Sequence, residues 1–331
     1  MIIIYSTVLP IRRNACRRAE EPASWRRRWR ATAQHAKMFP VKKDGSNNNG
    51  TTMSEQPFPG PALRPVRLQI GAQAIAGLES PGSGRPILLV HGNSSSARIW
   101  QKQLQGPLGA KFRVIAIDLP GHGASSPPPD PARDYSGGGY ARAIAASATE
   151  LGLKDAVVVG WSLGGHAVLN AAAALPDAAG RMIFGTPPVS HAPDGFAGFK
   201  SLSATVFTPQ PSEAEIEEWT KSAFAPGYAA IPDFVPADFR NTDGNARGCL
   251  GAAAQAGRFA DEVEIVRDLK IPLAIVHGRE EQIVDLGYLQ RLAAPTLWRG
   301  EVQVIDGAGH AAQWEKADAF NKLLDEFASS V

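Results

Sequence analysis

Apolar positions along the chain fall into short blocks that alternate with stretches of helical period. Blocks at 86–90, 113–117, 156–159, 181–184, 272–276 and 302–305 have the length and composition of strands. The first of them is apolar at every position, as suits a strand covered on both faces of its sheet. Helices are expected over about 96–104, 139–151 and 314–327, and another begins after Ser162. A hairpin over 66–70 and 72–76, turning at Gly71, precedes them. This alternation predicts an α/β protein with a mostly parallel, doubly wound sheet flanked by helices. The rhythm breaks between Thr186 and Ile271, where an acidic helix over 212–224 and a helical piece over 246–257 stand among Pro- and aromatic-rich loops. A small helical cap insertion is therefore expected at about 187–268, over the strand ends where open α/β sheets bind ligands. Phe196, Phe199, Phe207, Trp219, Phe224 and Phe234 are candidates either for an apolar substrate roof or for the insertion's own core. No internal repeat is present.

Composition changes this picture only near the N-terminus. The 331 residues are 44% apolar and 20% charged, an ordinary globular balance. The net charge of +2 hides an asymmetry: residues 1–52 hold 11 Lys and Arg against 3 Asp and Glu, so the remainder carries −6. Residues 1–60 are expected to be a basic, disordered leader, with Met53 as an alternative start, because nothing there can build a core. An Arg-rich, acid-poor segment also fits a presequence or an arm for nucleic acid or a membrane surface. The acidic remainder, taken as one domain over 61–331, argues against nucleic acid as the main partner. No apolar stretch is long enough to span a membrane. The two cysteines, Cys16 and Cys249, give no disulfide framework and no metal-ligand spacing, which fits a reducing cytoplasm. Nothing in the pattern speaks to oligomeric state.

The turn after the 156–159 strand reads Gly160-Trp161-Ser162-Leu163-Gly164. A strand–turn–helix of this kind strains its central residue and lifts the Ser162 hydroxyl clear of the sheet. Serine alone is a poor nucleophile near neutral pH, so it needs a base, and the base needs an orienting carboxylate. His310, in a glycine-rich loop after the final strand, is the best base. The loop after the preceding strand offers three acids, Glu280, Glu281 and Asp285. An oxyanion needs two converging amides, for which Leu163 and, in the loop after 86–90, Asn93 are the candidates. Trp161 and Ser94 are candidates for the substrate pocket. His166 reads as a packing residue and His277 as a structural one. With no His-Glu-x-x-His, paired cysteine cluster or phosphate-cradling glycine loop, no metal or other cofactor is expected.

Together these elements resemble the α/β-hydrolase fold and, within it, the serine carboxylesterases. The resemblance rests on His91-Gly92, Asp118-Leu119-Pro120-Gly121-His122-Gly123-Ala124-Ser125, the turn around Ser162, the loop at 278–285 and Gly309-His310. It runs over about residues 65–330 in family order. It implies a Ser-His-acid triad that cleaves a small-molecule ester or similar acyl substrate through an acyl-enzyme. Counting the family's Gly-x-x-acid from Gly278 implies Glu281 as that acid, where the family more often has Asp. Supporting roles are implied for His91, Asp118 and His122. Ser162 departs from the haloalkane dehalogenases and epoxide hydrolases, which place Asp there. The fold also carries lyases, carbon–carbon hydrolases, lactonases, perhydrolases, acyltransferases and non-catalytic ligand-binding proteins, so the resemblance leaves these alternatives.

Overall fold

The computed structural model describes residues 60–331. The expected leader, except Gly60, lies outside the described residues, as do Cys16 and Met53. Eight strands form one sheet: β1 (Arg64–Ile70), β2 (Gln73–Glu79), β3 (Gly84–Val90), β4 (Phe112–Ile117), β5 (Val157–Trp161), β6 (Gly180–Phe184), β7 (Leu273–Gly278) and β8 (Gln303–Ile305). Their order is β1-β2-β4-β3-β5-β6-β7-β8. β1–β2 and β2–β4 pair antiparallel, and every other join is parallel.

Parallel neighbours need long crossovers, and helices supply them. Those that matter for the site are α1 (Gly137–Glu150), α2 (Leu163–Asn170), α3 (Glu213–Ser222), α4 (Phe234–Asn241), α5 (Gly244–Gln255), α6 (Glu262–Asp268) and α7 (Ala317–Ser330). Successive strand residues point to opposite faces, and the core divides accordingly. Leu89, Val159, Met182 and Ala274 pack with Trp100, Phe320, Leu324 and Phe327 on one face. Leu88, Val158, Ile183 and Ile275 pack with Tyr140, Ile144 and Val168 on the other. Each such buried side chain contributes about 1.5–3 kcal/mol, so the blocks that alternate in the sequence also hold the sheet between its helices.

Two expected helices differ in detail. The one near 96–104 is a 3-10 turn, Ala97–Trp100, followed by one α-helical turn, Gln101–Leu104. Ser96 caps it by accepting from the Arg98 amide at 3.2 Å. The last helix is broken at Lys316 (φ −128°, ψ 54°) into Ala312–Glu315 and α7. Cys249 is fully buried on α5. Among the described residues, no helix is long and apolar enough to cross a membrane.

The strand order decides where a ligand can sit. From β3 the chain steps to β4 on one side and then returns to β5 on the other. Loops leaving the carboxyl ends of β3 and β5 therefore diverge and leave a crevice between them. Val90 pairs with Gly160, so the two strands end level, directly before Asn93 and Ser162.

Candidate active site

Ser162 joins β5 to α2 with φ 54° and ψ −121°, a conformation that costs a non-glycine residue energy. Its surroundings fix it there. The Ser162 amide donates to Phe184 O at 2.9 Å, and its carbonyl accepts from Gly165 N at 2.9 Å and Thr186 Oγ1 at 2.9 Å. A Cβ on Gly164 would lie 2.3 Å from Val90 O, so only glycine lets α2 approach β3 this closely. The strain expected at the turn is thus present and is held by the end of β6, the first turn of α2 and the Thr186 hydroxyl.

His310 lies in the loop after β8, and its ring rests against Gly185, just past β6. A Cβ on Gly185 (φ 60°) would stand 2.6 Å from His310 Cε1. Of the three candidate acids, only Glu281 meets the imidazole: His310 Nδ1–H donates to Glu281 Oε2 at 2.7 Å, with both side chains buried. Glu280 is exposed, and Asp285 instead caps a helical turn by accepting from Tyr288 N at 2.6 Å. Burial alone would push the Glu281 carboxyl up. The charge and hydrogen bond of His310, the Ile283 amide at 2.8 Å and nearby His277 outweigh it and hold the group below the ordinary carboxylate range. Glu281 is therefore the ionised partner of an imidazole whose Nε2 is left for other work. Among the described residues no hydrogen bond joins that ring to the Ser162 hydroxyl.

Asn93 and Leu163, like Ser162 and His310, line one cavity of about 420 Å³. Among the described residues their amides donate to no protein acceptor, which leaves both available to an oxygen of a ligand. The Asn93 side chain is tied down, its Nδ2 donating to Val206 O at 2.8 Å. Ser94, a pocket candidate from the sequence, is fully buried and not among the lining residues. It sits at φ 55°, and its hydroxyl donates to Asn93 Oδ1 at 3.0 Å while accepting from Arg247 Nη1 at 3.2 Å. Trp161 does line the cavity, and its indole N–H donates to His310 O at 2.8 Å, which ties the base loop to the nucleophile strand.

The supporting residues act through backbone. His91 Nδ1–H donates to Gly92 O at 2.7 Å, and Nε2 accepts from Leu119 N at 2.9 Å. Burial pushes its pKa down to about 4, so the ring is neutral, as this double role requires. Asp118 accepts from Ala97 N at 2.7 Å and Ala124 N at 2.9 Å, joining the oxyanion loop to the loop after β4.

The aromatics of the insertion divide between the cavity wall and packing, some of it against residues outside the insertion. Phe196, Phe199, Phe207 and Trp219 line the cavity. Phe224 stacks on Tyr228, and Phe234 packs edge-on against Trp314. Three residues that sequence reasoning missed are Glu315, Glu262 and Asn170. Glu315 Oε1 accepts from Gly309 N at 3.1 Å and Ala311 N at 3.2 Å, bracketing His310, while Oε2 accepts from Ala225 N at 2.7 Å. Its place five residues after His310 was the only available signal. Glu262 pairs with His166 across 96 positions, which no local pattern reveals. Among the described residues no group of three or more His, Cys, Asp or Glu is placed to hold a metal ion.

Known proteins resemble this chain over most of its length. A family model described as the alpha/beta hydrolase family matches residues 87–323. A solved structure of the N-acyl homoserine lactonase AidH, complexed with N-butanoyl homoserine, superposes with a TM-score of 0.76 at 38% identity, covering 81% of this chain and 98% of that one. A 2-hydroxy-6-oxononadienedioate/2-hydroxy-6-oxononatrienedioate hydrolase from Pseudomonas sp is 26% identical over 73% of this chain and 87% of its own length. A non-heme chloroperoxidase from Kitasatospora aureofaciens is 28% identical over 74% and 93%. A matching family model over most of the chain and a 38% identical structure give one conclusion: this chain belongs to the alpha/beta hydrolase family.

Proposed function

We propose that this hydrolase cleaves carboxylic esters, cyclic esters included, through an acyl-enzyme. Ser162 attacks the carbonyl carbon while His310 Nε2 takes its proton, and the Asn93 and Leu163 amides hold the oxyanion. His310 returns the proton to the departing alcohol and then activates the water that releases the acid. Glu281 keeps Nδ1 protonated and stabilises the imidazolium formed in each half. The single observation that carries this reading is the buried 2.7 Å Glu281–His310 pair at the rim of a cavity lined by Ser162.

Within that class, a lactone bearing an acyl side chain is favoured. The supports are the 38% identity to a lactonase and the mainly apolar cavity walls, with Phe196, Phe199, Phe207 and Trp219 beside the serine. The same proposal treats residues 187–268 as a cap on a domain over 61–331, leaves 1–60 as a leader, and places the chain in the cytoplasm with a small-molecule ester or acyl substrate as its partner. Stopped-flow hydrolysis of a short p-nitrophenyl ester tests the core of it. A burst of one p-nitrophenol per enzyme, with the acyl group found on Ser162 by mass spectrometry, is expected. Slow turnover without a burst or adduct, in folded protein, rejects the acyl-enzyme.

A further inference from the structure

The cavity carries a second polar spot that the proposed chemistry does not use. Glu262, 2% exposed, accepts three hydrogen bonds: from His166 Nδ1–H at 2.7 Å and Val189 N at 3.1 Å on Oε2, and from Asn170 Nδ2 at 2.8 Å on Oε1. His166 and Asn170 sit one turn apart on α2, and His166 is itself one turn beyond Ser162. His166, Asn170 and Glu262 all line the cavity. A carboxylate so fully engaged takes the Nδ1–H of His166, and in the tautomer this bond selects the ring's lone pair is on Nε2. Among the described residues that nitrogen has no partner. The ring is also held in plane, stacked on Phe199 with centroids 6.1 Å apart and 28° between planes. A packing histidine would bury its edge against apolar atoms; this one keeps 18% of its side chain exposed at the cavity wall.

We propose that His166 is a specificity-determining residue: its Nε2 accepts a hydrogen bond from an amide N–H of the substrate, about one helical turn (~5.4 Å along α2) from the nucleophile. Glu262 is its positioning residue, fixing the tautomer and the ring. The inference deepens the ester-hydrolase reading and rests on it. It assigns the substrate class as esters or lactones with an N-acylamino group next to the scissile carbonyl, the acyl chain lying on the aromatic walls. An analogue without the N–H leaves the acceptor unpaired, and loss of one such bond at a partly wet site is worth about tenfold.

The test compares N-hexanoyl homoserine lactone with the same lactone carrying CH₂ in place of the amide N–H. The wild type is expected to show a kcat/KM about tenfold or more higher on the amide. In His166→Phe the ratio falls to near one, and in His166→Gln, whose side-chain carbonyl is again an acceptor, part of it returns. An unchanged ratio in His166→Phe overturns the inference. So does failure to hydrolyse either lactone by protein whose Ser162 reacts with a fluorophosphonate, an outcome that leaves the hydrolase reading standing. If Ser162 in folded protein does not react, both fall together.

Discussion

At the scale of single residues, the site depends on which carboxylate holds His310. Glu281→Gln keeps the volume but can no longer stabilise an imidazolium, and a drop in kcat of about a thousandfold or more is expected in ester hydrolysis. Glu280→Gln and Asp285→Asn, measured beside it, should stay within a few-fold, since neither side chain touches the ring. Equal losses in all three would mean the loop, not the carboxylate, is what matters. Trp161→Phe removes the indole donor to His310 O, a bond worth about 1 kcal/mol, and should cost several-fold in kcat with KM little changed. Ser162 and His310, which the fold brings to one cavity, were legible because each is announced locally, Ser162 by its strand–turn–helix and His310 by its glycine-rich loop. Glu281 was legible only through family spacing from Gly278. Glu315 and Glu262 were not legible, because their work is done on backbone amides and an imidazole brought near only by the fold.

At the scale of elements, the oxyanion loop after β3 is clamped between the sheet and the insertion. Asn93 Nδ2 reaches Val206 O, Arg247 reaches Ser94, and Asp238 on α4 accepts from Ser96 Oγ at 2.6 Å and pairs with Arg98. Asp238→Ala leaves Ser96 and Arg98 without that partner. A lower kcat with unchanged fluorophosphonate access is expected, and an unchanged kcat would show that the clamp does not position Asn93. Gly164→Ala should be worse: a Cβ 2.3 Å from Val90 O must push α2 off β3, and thermal unfolding should show either a loss of several kcal/mol or no folded protein. Strand positions were readable because their blocks are apolar on both faces. The breaks in the helices near 100 and 316 were not, because apolar periodicity runs through both without marking the change in backbone angles.

At the scale of the whole molecule, stability should fall as the solution is acidified below about pH 6.5. His91 keeps its ring neutral until about pH 4, whereas the unfolded chain takes that proton near 6.5, so falling pH favours unfolding by up to about 3 kcal/mol. Asp118 works in the opposite sense. Burial raises its carboxyl to about 6, so the folded state binds a proton there before the unfolded chain does, and the two nearly cancel. His122, pushed well below its usual range chiefly by burial, and His277, pushed down by burial, add to the loss in acid, as Glu281 does below the ordinary carboxylate range, while the raised carboxyls of Asp238 and Glu315 oppose it. The slope of Tm against pH between 6.5 and 5 should therefore flatten in His122→Asn, whatever that change does to Tm itself; an unchanged slope contradicts it. The doubly wound sheet was legible as a whole because its alternation repeats over many elements, while the cavity, made where the insertion meets the strand ends, has no counterpart in any local pattern. The most direct measurement of the central claim is the site of reaction with a fluorophosphonate, read by peptide mass spectrometry on the wild type, Ser162→Ala and His310→Asn. One adduct on Ser162, absent in Ser162→Ala and formed far more slowly in His310→Asn, is the predicted result. Labelling that survives Ser162→Ala, or that proceeds at the same rate without His310, would contradict the account.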